Sequence, residues 1–239
     1  MSRRFSLVGP GRAGRSISAA LESTGWERRA TFGRNDDPRH AAADVDVCIV
    51  ATPDDAIAAT AAAIAPGPAV LVHLSGATPV SALEPHRAAA IHPLVSLADP
   101  SRGAEQLGEA WFGVGGDPVA TEMAELLSGR WFEIADDDRT LYHAAAAVAS
   151  NHLVALLGQA ERIAAEVGIP FDALLDLVDG TVGNVRSFGP RRALTGPAAR
   201  GDLDTIERHR AALAARLPNE LAAYDALVTE ARRLAAEAD

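Results

Sequence analysis

The hydrophobic rhythm of the chain changes once. Up to about residue 138, short apolar runs alternate with amphipathic stretches. "RFSLVG" reads as a short buried strand, and "GRAGRSISAALESTG" as a helix stopping at Gly25. "ERRATFGRN" is a second strand. "DVDVCIVATP" is a continuous apolar run closed by a proline turn, as in a strand covered on both faces. "DDAIAATAAAIAPG" starts on acids and stops at Pro-Gly, the marks of a helix. "PAVLVHLSG", "AAAIHPL", "AWFGVGG" and "RWFEIAD" supply further strands, and "TEMAELLSG" a further helix. This alternation predicts a parallel sheet with helices on its faces.

Beyond that point no strand-like run occurs. "TLYHAAAAVASNHLVALLGQAERIAAEVG" sustains one long helix, and "PFDALLDLVDGTVGNV", "DLDTIERHRAALAARL" and "NELAAYDALVTEARRLAAEA" follow as further helices. The predicted fold is α/β: a doubly wound parallel Rossmann sheet over residues 1–138 and an all-α domain over 139–239. The helical domain is expected to bind substrate and to form a homodimer, since its apolar stripes can complete themselves across a two-fold axis.

Composition narrows the classes. The chain has 239 residues and a formal charge of -10, which argues against nucleic-acid binding, because phosphates demand a positive surface. It contains no lysine, so all 22 basic side chains are arginine and no amine can act as acid, base or Schiff-base nucleophile. The single cysteine, Cys48, sits in an apolar run and reads as a small core residue. It rules out an internal disulfide, and no metal site is expected. The N-terminus enters a strand at once, and no apolar stretch of about 20 residues stands out. A soluble cytoplasmic protein, with no membrane span, is the expectation.

"LVGPGRAGRS" places Gly9, Gly11 and Gly14 in a G-x-G-x-x-G pattern between a strand and a helix, the context a dinucleotide loop requires. Gly9 permits the turn, Gly11 lets backbone approach a pyrophosphate, and Gly14 lets helix and strand pack. With Pro10, Arg12 and Ala13 these residues form the expected cofactor loop. Arg34 follows at the end of the second strand, where NAD enzymes usually carry an acid. A guanidinium there suits a 2′-phosphate and favours NADP over NAD, with Arg12 or Arg15 assisting. Asp36 and Asp37 are the opposing fact, and a solvated surface arginine is the plain alternative. Ala51, Thr52 and Pro53 end the strand that carries Cys48, at the sheet edge where ligands bind. Ser75 and Gly76 end the next strand and are expected nearer the nicotinamide. His73 either contacts substrate or is an inward structural histidine.

On a regular helix His143 and Ser150 share one stripe, about 10 Å apart, with Ala146 and Ala147 between them, Asn151 beside them and His152 opposite. Small residues between polar ones would let a flat ring and a small acid approach. His143, Ser150, Asn151 and His92 are therefore the candidate catalytic residues, with His143 as a general acid. The alternative is an alanine face for helix packing. Asn184, Thr195, Gly196, Pro197 and Arg200 are placed in loops between helices. Arg200 could grip a substrate carboxylate, or pair with Asp202 or Asp204 to shape the turn. Asp202 can also cap the following helix.

Together "LVGPGRAGRS", "VCIVATPDD", "LVHLSGA", "IHPLVSL", "YHAAAAVASNHLVALL" and "GPRRALTGPAARGD" resemble one family along essentially the whole chain. That family joins a Rossmann-like NADP-binding domain to a helical C-terminal domain of unknown function. It stands beside the pyrroline-carboxylate reductases, 6-phosphogluconate dehydrogenases and β-hydroxyacid dehydrogenases, and some members are similar to ketopantoate reductases of pantothenate biosynthesis. The resemblance implies an NADPH-dependent oxidoreductase of a small 2-keto acid carboxylate such as 2-dehydropantoate, acting in a cleft between the domains. Two alternatives are an imine reductase of pyrroline-carboxylate type and a non-catalytic dinucleotide-binding redox sensor. One departure stands out. β-Hydroxyacid dehydrogenases keep a lysine four residues before the asparagine that Asn151 would match, and Ala147 stands there. Any proton donor must be of another type, or water, with His143, His73 and His92 as candidates.

Overall fold

The computed structural model describes residues 3–97 and 100–237. The chain divides into two compact units, residues 1–151 and 152–239. The division falls beyond the change in sequence pattern at 138/139, because the first turns of the long helix pack on the sheet.

In the first unit seven strands form one sheet in the order β2-β1-β3-β4-β5-β6-β7. They are β1 (Arg4–Val8), β2 (Glu27–Phe32), β3 (Val47–Val50), β4 (Val70–His73), β5 (Ala88–Leu94), β6 (Trp111–Gly116) and β7 (Trp131–Glu133). β1 to β5 run parallel, as expected. β6 pairs antiparallel with β5, and β7 runs parallel to β6, so the sheet is mostly rather than wholly parallel. Helices α1 (Arg12–Ser23), α2 (Ile57–Ala63), α3 (Pro100–Leu107) and α4 (Val119–Leu127) connect the strands. α3 is absent from the pattern-based reading.

The apolar runs of β3 and β4 serve two cores. Val47, Ile49, Val70 and Val72 face one side, with Ile17 and Leu21 of α1 and Val119 and Met123 of α4. Cys48, Val50 and Leu71 face the other, with Ile57 and Ala61 of α2. Alternate side chains thus go to opposite covered faces, which is why these strands read as unbroken hydrophobic runs. Cys48 is an ordinary core residue, and burial pushes its thiol up to about 11.

The long helix is not uniform. It runs as α5 (Arg139–Ala147), then a π-helical turn over Val148–His152, then α6 (Leu153–Glu166). The run 136–166 is long and apolar enough, by length and composition alone, to cross a bilayer, which for one such helix is weak evidence of a membrane span. Alanine supplies much of that apolarity.

The second unit continues with α7 (Phe171–Ala193), α8 (Pro197–Arg200), α9 (Leu203–Arg216) and α10 (Leu221–Ala236). α7 breaks at Gly189, whose φ of 77° precedes Pro190. The α9 N-cap is Asp202, whose side chain accepts the Thr205 N–H. Arg162 of α6 grips the Glu220 carboxylate with two hydrogen bonds, and Gln159 donates to the Glu220 carbonyl. Asn184 lies inside α7 rather than in a loop, and Arg200 ends the short α8. Thr195 and Gly196 occupy the turn between α7 and α8.

Candidate active site

The glycine loop leaves β1 at Val8 and enters α1 at Arg12. Gly9 adopts φ +91°, and a Cβ there would meet the Ala51 carbonyl oxygen at 2.7 Å. A Cβ on Gly14 would meet the Gly9 carbonyl oxygen at 2.4 Å. Both glycines are therefore required by close backbone packing. Gly11 differs: it is the α1 N-cap, no side chain caps the helix, and nothing lies within 4 Å of where its Cβ would be. The open backbone and helix N-terminus suit an anion. The Nε of Arg15 donates to the Pro10 carbonyl at 2.8 Å and helps hold the loop.

A cavity of about 740 Å³ opens at the carboxyl ends of β1, β2 and β3. Gly9, Pro10, Gly11, Arg34, Thr52 and Pro53 line it. Arg34 makes no ion pair or side-chain hydrogen bond among the described residues. The rival acids are engaged locally. Asp36 accepts the Gly33 N–H at 2.6 Å, and Asp37 accepts the Arg39 N–H at 2.9 Å. The Thr52 hydroxyl is buried without a partner. Ala51 lines the same cavity, while Arg12 and Ala13 stand in the first turn of α1.

A second cavity, about 550 Å³, lies at the end of β5. It brings together His92 and Ser96 with Tyr142, His143, Ser150 and Asn151, among apolar walls from Pro93, Val95, Ala146 and Ala147. Ser150 and Asn151 reach it from the π turn over Val148–His152. Its wider winding inserts a residue, so the uniform 3.6-residue spacing assumed from sequence does not hold there.

β6 explains how α5 reaches the sheet. Gly113 stands opposite His92 in the antiparallel pair. A Cβ on Gly113 would lie 3.2 Å from the Tyr142 hydroxyl, and one on Gly115 would lie 2.6 Å from an Arg139 amino group. These two glycines leave room for two side chains of α5. Tyr142 rests edge-on to Phe132, ring centres 5.7 Å apart, and its hydroxyl sits 2.7 Å from Nδ1 of His92. His143 stands edge-on to His92 at 5.8 Å. Gly76 packs against both imidazoles, where a Cβ would meet Nδ1 of His143 at 2.8 Å.

Arg139 is fully buried. Its Nε donates to Asp136 at 3.0 Å, while both terminal amino groups lack partners. Burial would raise the Asp136 carboxyl. The Val80 and Ser81 N–H groups and Arg139 outweigh that and hold it low. Burial, and then the His143 ring, lower His92 to about 4. Burial, and then the Arg139 charge, lower His73 to about 4. Burial pushes the Tyr142 phenol up to about 12, against the opposing Arg139 charge.

His73 is wholly buried and lines neither cavity. Its Nδ1 accepts the Ser75 N–H at 3.2 Å. The Ser75 hydroxyl accepts the Ala77 and Thr78 N–H groups and shapes the loop. Asn184, Thr195 and Arg200 belong to the helical unit and line neither of these cavities. Tyr142 and Arg139 were missed by sequence reasoning. The signal was the alternate glycines of "GVGG", whose meaning needs the antiparallel pairing to be known.

Solved structures share this fold. Protein TM1727 from Thermotoga maritima is 28% identical, with TM-score 0.78, covering 97% of this chain and 98% of that one. The protein BF3122 from Bacteroides fragilis, assigned as an NADP oxidoreductase, is 22% identical with TM-score 0.83 and the same coverage. A reductive aminase from Aspergillus terreus, in complex with NADPH and ethyl levulinate, is 15% identical with TM-score 0.74, covering 98% and 94%. No curated protein sequence matches the chain. Residues 112–231, half of the chain, match the family described as domain of unknown function DUF2520, and the chain belongs to that family.

Proposed function

We propose that this protein is an NADPH-dependent reductase of a small C=O or C=N compound. The observation that carries the proposal is the pairing of two cavities at the carboxyl edge of one sheet. One has an open glycine loop and a free guanidinium; the other has apolar walls and clustered proton-carrying side chains. Gly9 to Gly14 would hold a pyrophosphate, Arg34 a 2′-phosphate, and Thr52 with its unpartnered hydroxyl a ribose or amide group. Arg34 favours NADP because both nearby acids are spent on backbone N–H groups. Structural neighbours support this, since a reductive aminase binds NADPH and a Plasmodium falciparum pyrroline carboxylate reductase binds NADP.

For the substrate, the first choice is a 2-keto acid of the 2-dehydropantoate kind. His92, His143, Ser150 and Asn151 would contact it, and Asn184, Thr195 and Arg200 are proposed for its carboxylate. The second reading, an imine of pyrroline-carboxylate type, is supported by structural neighbours that are pyrroline carboxylate reductases and an imine reductase. A homodimer formed through the helical unit completes the proposal, supported by exposed apolar side chains such as Val154 and Leu177.

Two measurements test it. Purified protein with NADPH and either 2-dehydropantoate or 1-pyrroline-5-carboxylate is followed at the reduced nicotinamide absorbance. Oxidation with the keto acid alone supports the first substrate, and with the imine alone the second. NADPH binding without oxidation of either leaves a dinucleotide-binding sensor in place of a reductase. Separately, Arg34→Ala should weaken NADPH at least about tenfold, from loss of a charged hydrogen bond, and leave NADH unchanged. Equal NADPH affinity in the variant would refute the phosphate assignment.

A further inference from the structure

Resting on that reductase reading, we infer that Tyr142 is the proton donor of the site, and that His92 reloads it. The cavity holds several groups able to carry a proton, and their hydrogen bonds separate them. The Nδ1 of His143 is buried with no partner, so that nitrogen belongs to no hydrogen-bonded relay. Tyr142 has such a partner: its hydroxyl is 2.7 Å from Nδ1 of His92, and both residues line the cavity. The pair is built into the fold. His92 faces Gly113 across the β5–β6 ladder, and the glycine leaves the space that the Tyr142 ring end fills. Phe132 closes the other side of the ring at 5.7 Å.

The groups facing Tyr142 come from every element packed on it: His92 from β5, and Arg139 and His143 from α5. β6 and β7 offer it no charge, only Gly113 and Phe132. Arg139 lies three residues before Tyr142 on the same helix. Its two buried amino groups are unpaired, and its charge opposes the rise that burial imposes on the phenol. A phenolate formed for a moment would have that cation nearby. Asp136 engages only the Nε of Arg139.

The step balances as follows. A dihydronicotinamide held by the glycine loop would supply the hydride for the carbon of the C=O or C=N bond. The Tyr142 O–H bond breaks, and its proton forms the new O–H or N–H bond. The Tyr142 oxygen takes the Nδ1 proton of His92, and Nε2 of His92 takes a proton from water; tautomer exchange through water, with Nε2 giving up its proton and Nδ1 gaining one, restores the starting ring before the next turnover. This polarity requires neutral His92 to carry its proton on Nδ1 and donate to Tyr142. The opposite polarity, Tyr142 donating to Nδ1, would direct the phenol proton away from substrate.

The first test needs neither cofactor nor substrate. Nitrogen-15 NMR of histidine-labelled protein, with His92 assigned by its loss in His92→Gln, should show a neutral Nδ1–H ring at pH 7. A neutral Nε2–H ring, or a cation at that pH, would overturn the relay. The second test uses Tyr142→Phe, which keeps the ring packed on Phe132. Its kcat should fall at least about a hundredfold on whichever of 2-dehydropantoate or 1-pyrroline-5-carboxylate the native protein reduces, with NADPH affinity unchanged. Native turnover should be level between pH 6 and 9, whereas an imidazolium donor of ordinary pKa, about 6.5, would lose activity across that range. A variant that turns over normally excludes Tyr142 as donor. If the native protein binds NADPH and reduces neither compound, the reductase reading falls, and the NMR result still decides how the Tyr142–His92 pair is polarised.

Discussion

The two units are held together in different ways. The sheet unit hides large side chains completely: Phe5, Ile17, Leu21, Ile49, Leu71, Ile91 and Phe112 are inaccessible to solvent. The helical unit hides little. Among the described residues beyond 151, the buried apolar side chains are Ala164, Ile206 and Leu213. Val154 and Leu177 meanwhile expose about two thirds of their surface, and Phe188 half. Its visible fastenings are polar, such as Arg162 on Glu220 and Arg210 on Asp225. Amphipathic pattern alone does not distinguish these cases. A sheet unit can bury its apolar groups within itself, whereas a small helix set often needs a second copy to do so.

The largest effect should come from the self-sufficient core. Phe5→Ala should cost about 3–5 kcal/mol, read by denaturant unfolding, and the loss should not depend on protein concentration. Leu177→Asp should act the other way. It should leave the dilute protein as stable as before, but abolish the dimer in sedimentation and remove the rise of Tm with concentration. A native protein that is monomeric at every concentration would remove the second half of this contrast.

Acid should also strike the sheet unit first. His73 and His92 are each held near 4, so the unfolded chain binds more protons than the folded one from about pH 6.5 down to 4. Stability therefore rises with pH across that window, and folding loses ground as the medium is acidified. For His73, wholly buried, the term is at most roughly 3 kcal/mol. Replacing it by Gln should flatten the acid limb of a Tm-against-pH curve between those values. An unchanged slope would mean that carboxylates, not this imidazole, carry the acid response.

Next in size is the seam where α5 meets β6. Gly113→Ala would place a Cβ 2.4 Å from Ile134 Cδ1 and 3.2 Å from the Tyr142 hydroxyl. A cost of about 1–3 kcal/mol is expected from the overlap. The Tyr142–His92 bond should be disturbed with it, visible as a shift in the His92 ring nitrogens. Gly129→Ala, where a Cβ would meet nothing within 4 Å, controls for a general glycine effect, although its φ of +70° carries some strain of its own.

These same residues show what a sequence discloses. Gly14 was legible because its reason is local, its Cβ meeting the Gly9 carbonyl within one βα turn; Gly9 was legible from the motif, although the atoms that exclude a side chain there belong to Ala51 and Thr52 beyond β3. The strands were legible for a local reason too, down to the double-sided burial of "VCIV". Tyr142 was not, because its reason is remote. It depends on β6 turning antiparallel to β5, which sets Gly113 against His92. Nothing in the strand-like run "AWFGVGG" carries its direction. The π turn was hidden too, since "VASNH" has the composition of an ordinary helical turn, and the phase of every later residue depends on it. Arg139 follows three acids in the sequence, yet it is the largest fully buried side chain.

The smallest effect sharpens the account of the helical unit. Arg210 reaches Asp225 at 2.8 Å and Glu207 at 2.9 Å, joining α9 to α10 across an exposed surface. Solvent screens such pairs, and side-chain entropy offsets part of what they contribute. Arg210→Gln should therefore lower Tm only slightly in dilute buffer, and the difference should vanish in molar salt, where charges are screened within a few ångströms. Persistence of the loss in high salt would show that the aliphatic stem of Arg210, packed along the helices, matters more than its charge. The helical unit would then have more apolar packing than its buried residues suggest, and less need of a second copy to complete it.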